Sequence, residues 1–231
     1  MGLQAMDDFL GALEKRIPSD PDTQWTVDLQ PQDLTEDLLY VLCDRHPVKA
    51  IRLELMAFSQ RELLALHTPF TANLSEHALS FLTDHKETNR PFLLSVSLGI
   101  GIPGQSEDSF RKTLLRLLPA QPDQIVLKRF RNRRLSREEQ LSLAEETDWS
   151  SYIRAAEEFL GSQGYLRSGN SLTFALPGRA FYADESDAKK MSQYGFGLGA
   201  RTRLEGFSYA NTDDYAFYVE NSGNPELLIA H

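Results

Sequence analysis

The sequence contains a single cysteine, Cys43, among its 231 residues. An intramolecular disulfide is therefore excluded, and a cysteine-ligated metal centre would need ligands from elsewhere. No apolar run is long enough to span a bilayer, and the N-terminus has no apolar signal-peptide core. We therefore expect no membrane span and a cytoplasmic location. Excess positive charge is also absent, because the formal net charge is −9, and this argues against nucleic-acid binding.

The first half of the chain alternates between strand and helix patterns. Apolar alternation or buried-type runs predict strands at 25–29, 51–55, 92–98 and 124–128. Helical periodicity and capping residues predict helices at 34–43, 59–66, 72–83, 106–118 and, later in the chain, 149–163. Strands separated by helices indicate βαβ units and a parallel sheet.

The pattern changes after residue 131, where a charged stretch precedes a helix and a Gly-, Tyr- and Asn-rich remainder. We therefore predict an α/β fold. It consists of a partial (β/α) barrel of about four parallel strands at 1–131, followed by a helical, loop-rich extension at 132–231. Missing barrel strands would leave one sheet edge unpaired. We expect a homodimer to cover that edge, or the N-terminal helix at 7–16.

Glycine-rich segments are the first candidates for a ligand site. Residues 99–106, Gly-Ile-Gly-Ile-Pro-Gly-Gln-Ser, lie between a buried strand and a capped helix, where backbone N–H groups can bind a ligand. Residues 194–201 place three glycines at alternate positions, which suits close packing against a flat group. On the residues alone, a structural turn and a structural loop are the favoured alternatives.

A basic cluster stands out in this acidic chain. Its members are Lys128, Arg129, Arg131, Arg133, Arg134 and Arg137. The cluster follows a predicted strand, and ligands of parallel sheets bind at the carboxyl ends of strands. Arginine binds carboxylates well, so a tetrapyrrole with propionates would suit this position. The alternative is a solvated linker paired with the nearby glutamates, which the residues alone favour.

The histidines and the cysteine give weaker signals. No histidine pair has metal-ligand spacing, so we interpret all five as surface or capping residues, although a haem ligand among them stays open. Cys43 lies on the apolar side of a predicted helix, which indicates a buried, inert thiol.

Several segments, in order, resemble the oxygen-independent coproporphyrinogen III oxidase group of radical SAM proteins, which includes haem chaperones. Residues 27–31 followed by Leu34-Thr35 resemble the family's E-x-N-P then L-T, and 52–58 lies where the family has R-I-S-L-G-V-Q-S-F. Residues 97–106 resemble D-L-I-Y-G-L-P-G-Q-T. Residues 122–125 resemble the family's approach to its sixth strand, and the helix at 152–157 with Gly164-Tyr165 resembles its post-barrel helix. Residues 196–211, with Tyr218 and 223–225, resemble its signature G-L-G-A-G-A…N…Y…G-x-P.

The resemblance also reveals departures from the family. The defining C-x-x-x-C-x-x-C and the G-G-G-T-P turn do not occur in this sequence, which resembles the family from just after that region. Three thiolates normally hold the [4Fe-4S] cluster, and one cysteine cannot. The SAM positions also differ, with Asp28 for a glutamate, Met56 for a glutamine and Ser97 for an aspartate. The resemblance implies SAM contacts at Asp28, Met56, Ser97, Gly101, Pro103, Gly104 and Gln105, in a degenerate form.

These observations lead to two hypotheses of different classes. In the first, the chain is a coproporphyrinogen oxidase-like protein without radical SAM catalysis that binds porphyrin or haem. Its candidate substrate contacts are Arg129, Arg131, Arg133, Gly197, Gly199 and Arg201. In the second, it is a fragment of an active radical SAM enzyme of haem metabolism whose cysteine motif lies outside this chain. A ligand-free interaction protein is a third alternative. This chain alone is expected to hold no catalytic residue, metal or SAM cofactor.

Overall fold

The computed structural model describes residues 2–16, 25–88, 92–130, 148–168, 171–179, 192, 194–195, 197–221, 223–224 and 229–230. Within them the chain forms two compact units, Met1–Phe181 and Tyr182–His231. Residues 148–179, which follow the predicted boundary at 131, therefore belong to the first compact unit. The predicted division of the chain at residue 131, into a barrel part and a C-terminal extension like that of the family, stays a prediction. No helix among the described ranges is long and apolar enough to cross a membrane.

A six-stranded sheet organises the first unit. Its strands are β1 (Trp25–Leu29), β2 (Val48–Met56), β3 (Leu93–Ile100), β4 (Gln124–Arg129), β5 (Leu166–Arg167) and β6 (Thr173–Ala175). Strands β1 to β4 are parallel neighbours, which confirms the four predicted strands. The sheet order is β1-β2-β3-β4-β6-β5, and β6 runs antiparallel to β4. Strands β5 and β6 were not predicted from the sequence; β6 pairs with β4, and β5 pairs with β6.

Helices connect the strands and cover one face of the sheet. In chain order they are α1 (Leu3–Arg16), α2 (Glu36–Leu39), α3 (Gln60–Ala65), α4 (Ala72–Thr88), α5 (Glu107–Leu117) and α6 (Trp149–Ser162). Short 3-10 turns occur at Pro31–Asp33 and Leu118–Ala120. Helix α6 packs against α5, where the rings of Phe110 and Tyr152 meet edge to face at 5.6 Å.

The helix predicted at 34–43 differs from the observed one. The Thr35 hydroxyl accepts a hydrogen bond from the Leu38 N–H at 3.1 Å, so α2 begins at Glu36. The helix then widens into a π-helical turn, Tyr40–Arg45. This wider turn still buries its apolar side chains, Val41 and Leu42. Cys43 is half-buried rather than fully buried, and it packs at the margin of the core.

Helix α1 packs against this π-helical turn through an ionic cluster whose Asp7 and His46 side chains are buried. Asp7 Oδ1 lies 2.9 Å from His46 Nε2, Glu14 Oε1 lies 2.8 Å from His46 Nδ1, and Arg45 binds Asp7 at 2.6 Å. His46 is only 8% exposed. Its prediction as a surface or capping residue is therefore wrong, because a partner 39 residues earlier in sequence buries it.

The second unit contains a small antiparallel sheet and one short helix. Strands β7 (Arg201–Leu204), β8 (Phe207–Asn211) and β9 (Ile229–Ala230) pair in that order, and α7 spans Tyr215–Glu220. Its described residues contribute nothing to the apolar core, which the first unit forms around β1 to β4 and the covering helices.

Candidate functional site

The sheet of the first unit has two chemically different faces. Strand register places alternate residues of β1 to β4 on the same side. The polar face carries Thr26, Asp28, Arg52, Glu54, Ser95, Ser97, Gln124 and Lys128. The apolar face carries Val27, Leu29, Ile51, Leu53, Leu94, Val96, Leu98, Ile125 and Leu127. The apolar face joins the helix-covered core, so the polar face is the part of the sheet with ligand-binding chemistry.

The first ion pair of the polar face links β1 to β2. Arg52 Nη1 lies 3.4 Å from Asp28 Oδ2, and the Asp28 side chain is about half exposed. Burial raises the pKa of the Asp28 carboxyl above its ordinary value, and the Arg52 guanidinium partly opposes that rise. Asp28, the predicted SAM contact of β1, is thus engaged by its neighbouring strand.

A second cluster links β2, β3 and β4. Glu54 accepts a hydrogen bond from the Ser97 hydroxyl at 3.1 Å and forms a salt bridge with Lys128. Ser97 is fully buried, whereas the Glu54 and Lys128 side chains are 20% and 39% exposed. Two carboxylates and two cations therefore balance one another across four strands. Lys128, which the sequence analysis placed in a propionate-binding cluster, has its charge paired inside the sheet.

The turn after β3 is closed by the side chain of Gln105. Its Oε1 accepts from the N–H groups of Gly101 (2.9 Å) and Ile102 (3.4 Å), and its Nε2 donates to the Gly99 carbonyl at 3.1 Å. Nε2 also donates to Glu62 Oε2 at 3.3 Å, and Glu62 is only 1% exposed. The side-chain amide of Gln105, which the resemblance implies as a SAM contact, therefore hydrogen-bonds to the backbone of its own turn and to Glu62.

The neighbouring turn residues have different surroundings. Gly101 and Gly104 both have positive φ, at 71° and 78°. A Cβ on Gly104 would also lie 2.9 Å from Nη2 of Arg61, so the guanidinium packs directly on this glycine. Pro103 is exposed in the same turn. Glycine is thus required here for backbone reasons, and a ligand role for these residues stays a prediction.

Met56 ends β2 in an unusual conformation. Its φ is 65°, in the left-handed region that favours glycine, and the register with β3 shifts between Glu54 and Met56. A Cβ on Gly99 would lie 3.2 Å from Met56 Cε, so the side chain covers that glycine. The role of Met56 as a SAM position stays a prediction.

The predicted substrate-binding residues lie in separate parts of the chain. Arg129 is exposed at the end of β4, and its guanidinium carbon lies 4.6 Å from the Trp149 ring centre, a cation–π contact. Arg131 and Arg133 lie outside the described residues. The structure therefore shows one arginine of the predicted cluster, held on an aromatic surface.

Gly197, Gly199 and Arg201 belong to the second unit, before and at the start of β7. Both glycines have positive φ, at 98° and 66°. The Gly197 carbonyl accepts from Asn211 Nδ2 at 2.7 Å, and the Gly199 N–H donates to the Thr212 carbonyl at 2.8 Å. These contacts explain the glycines as parts of a hairpin, and their substrate role stays a prediction.

The single cysteine of the sequence and the described side chains do not fit the cofactors that the resemblance implies. Cys43 is one thiol on the helical side of the sheet, and a [4Fe-4S] cluster normally needs several. The described ranges contain no group of three or more His, Cys, Asp or Glu side chains arranged to hold a metal. For SAM, Asp28 is paired with Arg52 and the Gln105 amide is used within its own turn.

Comparison with known proteins identifies the fold. Coproporphyrinogen III oxidase (HemN) from Escherichia coli, described as a radical SAM enzyme, aligns with 99% of this chain at a TM-score of 0.76 and 14% identity. The chain has a radical SAM fold. It spans about half the length of HemN, since the alignment covers 55% of that protein. The archaeal Elp3 of Methanocaldococcus infernus, with an N-terminal deletion, aligns over 68% of this chain and 41% of its own, at a TM-score of 0.51 and 13% identity.

Sequence comparisons add nothing to this result, since no protein-family model and no curated protein matches the chain. The predicted partial radical SAM barrel is confirmed as a fold. The narrower assignment to the coproporphyrinogen oxidase group rests on the motifs and stays a proposal.

Sequence reasoning missed the Glu54–Lys128 pair and the role of Glu62. The position of Glu54 could have been predicted, because a charged residue that alternates with apolar residues in a strand is expected on the face opposite the core. Its partner Lys128 is 74 residues away, and only the strand register brings the two together.

Proposed function

We propose that this chain is a coproporphyrinogen III oxidase-like protein that binds a porphyrin or haem and performs no radical SAM catalysis through its own residues. The observation that carries the proposal is the internal pairing of the polar face, Asp28 with Arg52 and Glu54 with Lys128. Arg52 and Lys128 already offset the two carboxylates, which weakens the electrostatic attraction of this face for a positively charged sulfonium cofactor. A cytoplasmic location is part of this proposal.

Arg129 is the described residue best suited to a carboxylated ligand. It is exposed at the carboxyl end of β4, where parallel sheets bind ligands, and it rests on the indole of Trp149. A guanidinium can bind a propionate through two parallel hydrogen bonds. An arginine stacked on an aromatic ring is partly immobilised, so it would lose less conformational entropy on binding.

The test is a titration of the purified chain with haem and with coproporphyrin III, followed by Soret absorbance. We expect a saturable change at micromolar ligand. Arg129→Ala should weaken binding about tenfold, the effect of losing one charge-assisted contact. Arg154→Ala, at an exposed position on α6, is the matched control and should leave binding unchanged. No saturable change with either ligand would reject tetrapyrrole binding.

A second candidate function is favoured by the length of the structural neighbour. Because the chain covers only 55% of HemN, it is also consistent with one part of an active radical SAM enzyme of tetrapyrrole metabolism. The coding sequence upstream of Met1 distinguishes the two. An in-frame C-x-x-x-C-x-x-C there would replace our proposal with this alternative, whereas a stop codon followed by a ribosome-binding site would support our proposal. A chain that binds no tetrapyrrole would favour the ligand-free interaction protein.

A further inference from the structure

We propose that Arg61 is a further binding residue for the tetrapyrrole, so that Arg61 and Arg129 bind carboxylates on different edges of one macrocycle. This inference rests on the proposed function and deepens it, because it names the kind of tetrapyrrole that the chain prefers. Coproporphyrin III carries a propionate on every pyrrole ring, whereas the propionates of haem share one edge. The arrangement therefore predicts selectivity for coproporphyrin III over haem.

The Arg61 side chain is exposed and lies on the turn after β3. Its guanidinium packs on Gly104, where an added Cβ would lie 2.9 Å from Nη2 and 3.1 Å from Nε of the arginine. The absence of a side chain on Gly104 thus leaves the space in which the guanidinium rests. An arginine held in this way loses less conformational entropy when it binds a ligand than a freely mobile one.

The charge of Arg61 is not neutralised by its surroundings. Among the residues that the structure describes, no carboxylate forms an ion pair with it, although the chain has a net charge of −9. Glu62, the next residue, is buried and accepts a hydrogen bond from the Ser109 hydroxyl at 2.7 Å. Arg129 is similar, because it is held by the uncharged indole of Trp149. A guanidinium that is positioned but not neutralised is suited to bind a carboxylate from a ligand.

The two arginines approach the same turn from different elements. Arg61 contacts it from α3, which follows β2. On the other side, the Gln105 carbonyl accepts from the Tyr152 hydroxyl at 3.0 Å, and Tyr152 lies one helical turn after Trp149, on which Arg129 rests. Because β3 separates β2 from β4, the strands that lead to the two arginines are about 10 Å apart. This spacing suits separate carboxylates of one macrocycle better than a single carboxylate held by both side chains.

Titrations of the full chain with coproporphyrin III and with haem, followed by Soret absorbance, test this inference. Arg61→Ala should weaken the binding of coproporphyrin III about tenfold, the effect of one charge-assisted contact, and change that of haem less than about twofold. Arg129→Ala should weaken the binding of both. Arg61→Lys keeps the charge without the planar fork, so its affinity should lie between those of the parent and the alanine variant. Arg154→Ala is the matched control and should leave both affinities unchanged.

A second variant tests the contact between Arg61 and the turn. Gly104→Ala places a Cβ against the guanidinium and should weaken the binding of coproporphyrin III several-fold. In the Arg61→Ala background the same substitution should have little further effect, because the guanidinium is already absent. A general distortion of the turn would weaken binding in both backgrounds. Thermal unfolding of each variant checks that the chain is folded.

The possible outcomes separate this inference from the proposed function. If the parent binds coproporphyrin III and Arg61→Ala binds it equally well, the role of Arg61 is overturned while tetrapyrrole binding stands. Equal losses for the two ligands, or a larger loss for haem, would overturn the assignment to different edges. A parent chain that binds neither ligand would overturn this inference together with the proposed function.

Discussion

The two faces of the central sheet differ in chemistry. The apolar face packs against helices in a continuous core, and it contains the alternating residues from which the fold was predicted. The polar face carries paired charges and hydroxyls on the same strands. Packing of the apolar face is sufficient to account for a shared fold at 14% identity, whereas the chemistry of the polar face is set by other residues. Similarity of fold informs on the first face more than on the second.

The largest expected difference between the faces comes from truncating one side chain on each. Leu53→Ala removes a fully buried side chain of the apolar face and should lower the free energy of unfolding by about 3 kcal/mol. Ser97→Ala, on the polar face of the adjacent strand, should cost less than about 1 kcal/mol, because Glu54 retains Lys128. Urea denaturation of both variants measures the contrast, and equal losses would remove it.

The turn at the end of the polar face gives the next largest effect. Gln105→Met preserves the length of the side chain but removes the acceptor of the Gly101 N–H and the donor to the Gly99 carbonyl. We expect a loss of about 2 kcal/mol, since partially buried groups are left unpaired. Gln163→Met, at an exposed helix end, is the control. An unchanged melting temperature for Gln105→Met would indicate that Gln105 is free to contact a ligand.

The charge pairing of the polar face should give a smaller, coupled effect. Lys128→Met leaves Glu54 mostly buried with the Ser97 hydroxyl as its described side-chain partner, and should cost about 1.5 kcal/mol. The double variant Glu54→Gln with Lys128→Met should recover most of that loss, because no uncompensated charge remains. Chemical denaturation of the single and double variants forms a thermodynamic cycle. Additive losses would show that the two side chains do not stabilise each other.

The smallest effect concerns Asp28 and depends on pH. Because burial raises the pKa of Asp28 above 3.8, the folded state binds its proton more readily than the unfolded state. Stability should therefore fall as the pH rises from below 3.8 through the raised pKa. Asp28→Asn removes this dependence and should be slightly more stable than the parent near pH 7, by less than about 0.5 kcal/mol because the side chain is half exposed. Thermal unfolding between pH 3 and pH 8, a range spanning carboxyl titration, measures the difference. A parent that gains stability relative to Asp28→Asn as the pH rises would contradict the sign.

The strands were predictable because their alternation is local. The pattern Ile51-Arg52-Leu53-Glu54-Leu55 contains both faces of β2 within five residues. The cap of α5 was also local, since Ser106 accepts from the Ser109 N–H within one turn. The pairing of β6 with β4 was not predictable, because β6 has only three residues and its partner lies some fifty residues earlier.

The candidate site was less predictable than the fold for the same reason. The glycine turn was located correctly, yet its hydrogen bonds to Glu62 depend on how α3 packs. Likewise, the left-handed backbone of Met56 follows a shift of strand register that no local pattern reports. Positions inferred by counting along a motif are reliable only where the backbone is regular.

The π-helical turn at Tyr40–Arg45 illustrates how a chain changes length without changing shape. Such a turn accommodates one additional residue within a helix and leaves the flanking segments in place. Deleting one of its residues would restore an ordinary helical repeat and leave Arg45 and His46 close to their present orientation. The same deletion from a regular α-helix would instead rotate the following side chains by about 100°. Single-residue gain or loss at this position is thus a route by which two proteins can diverge in sequence alignment while their strands still superimpose.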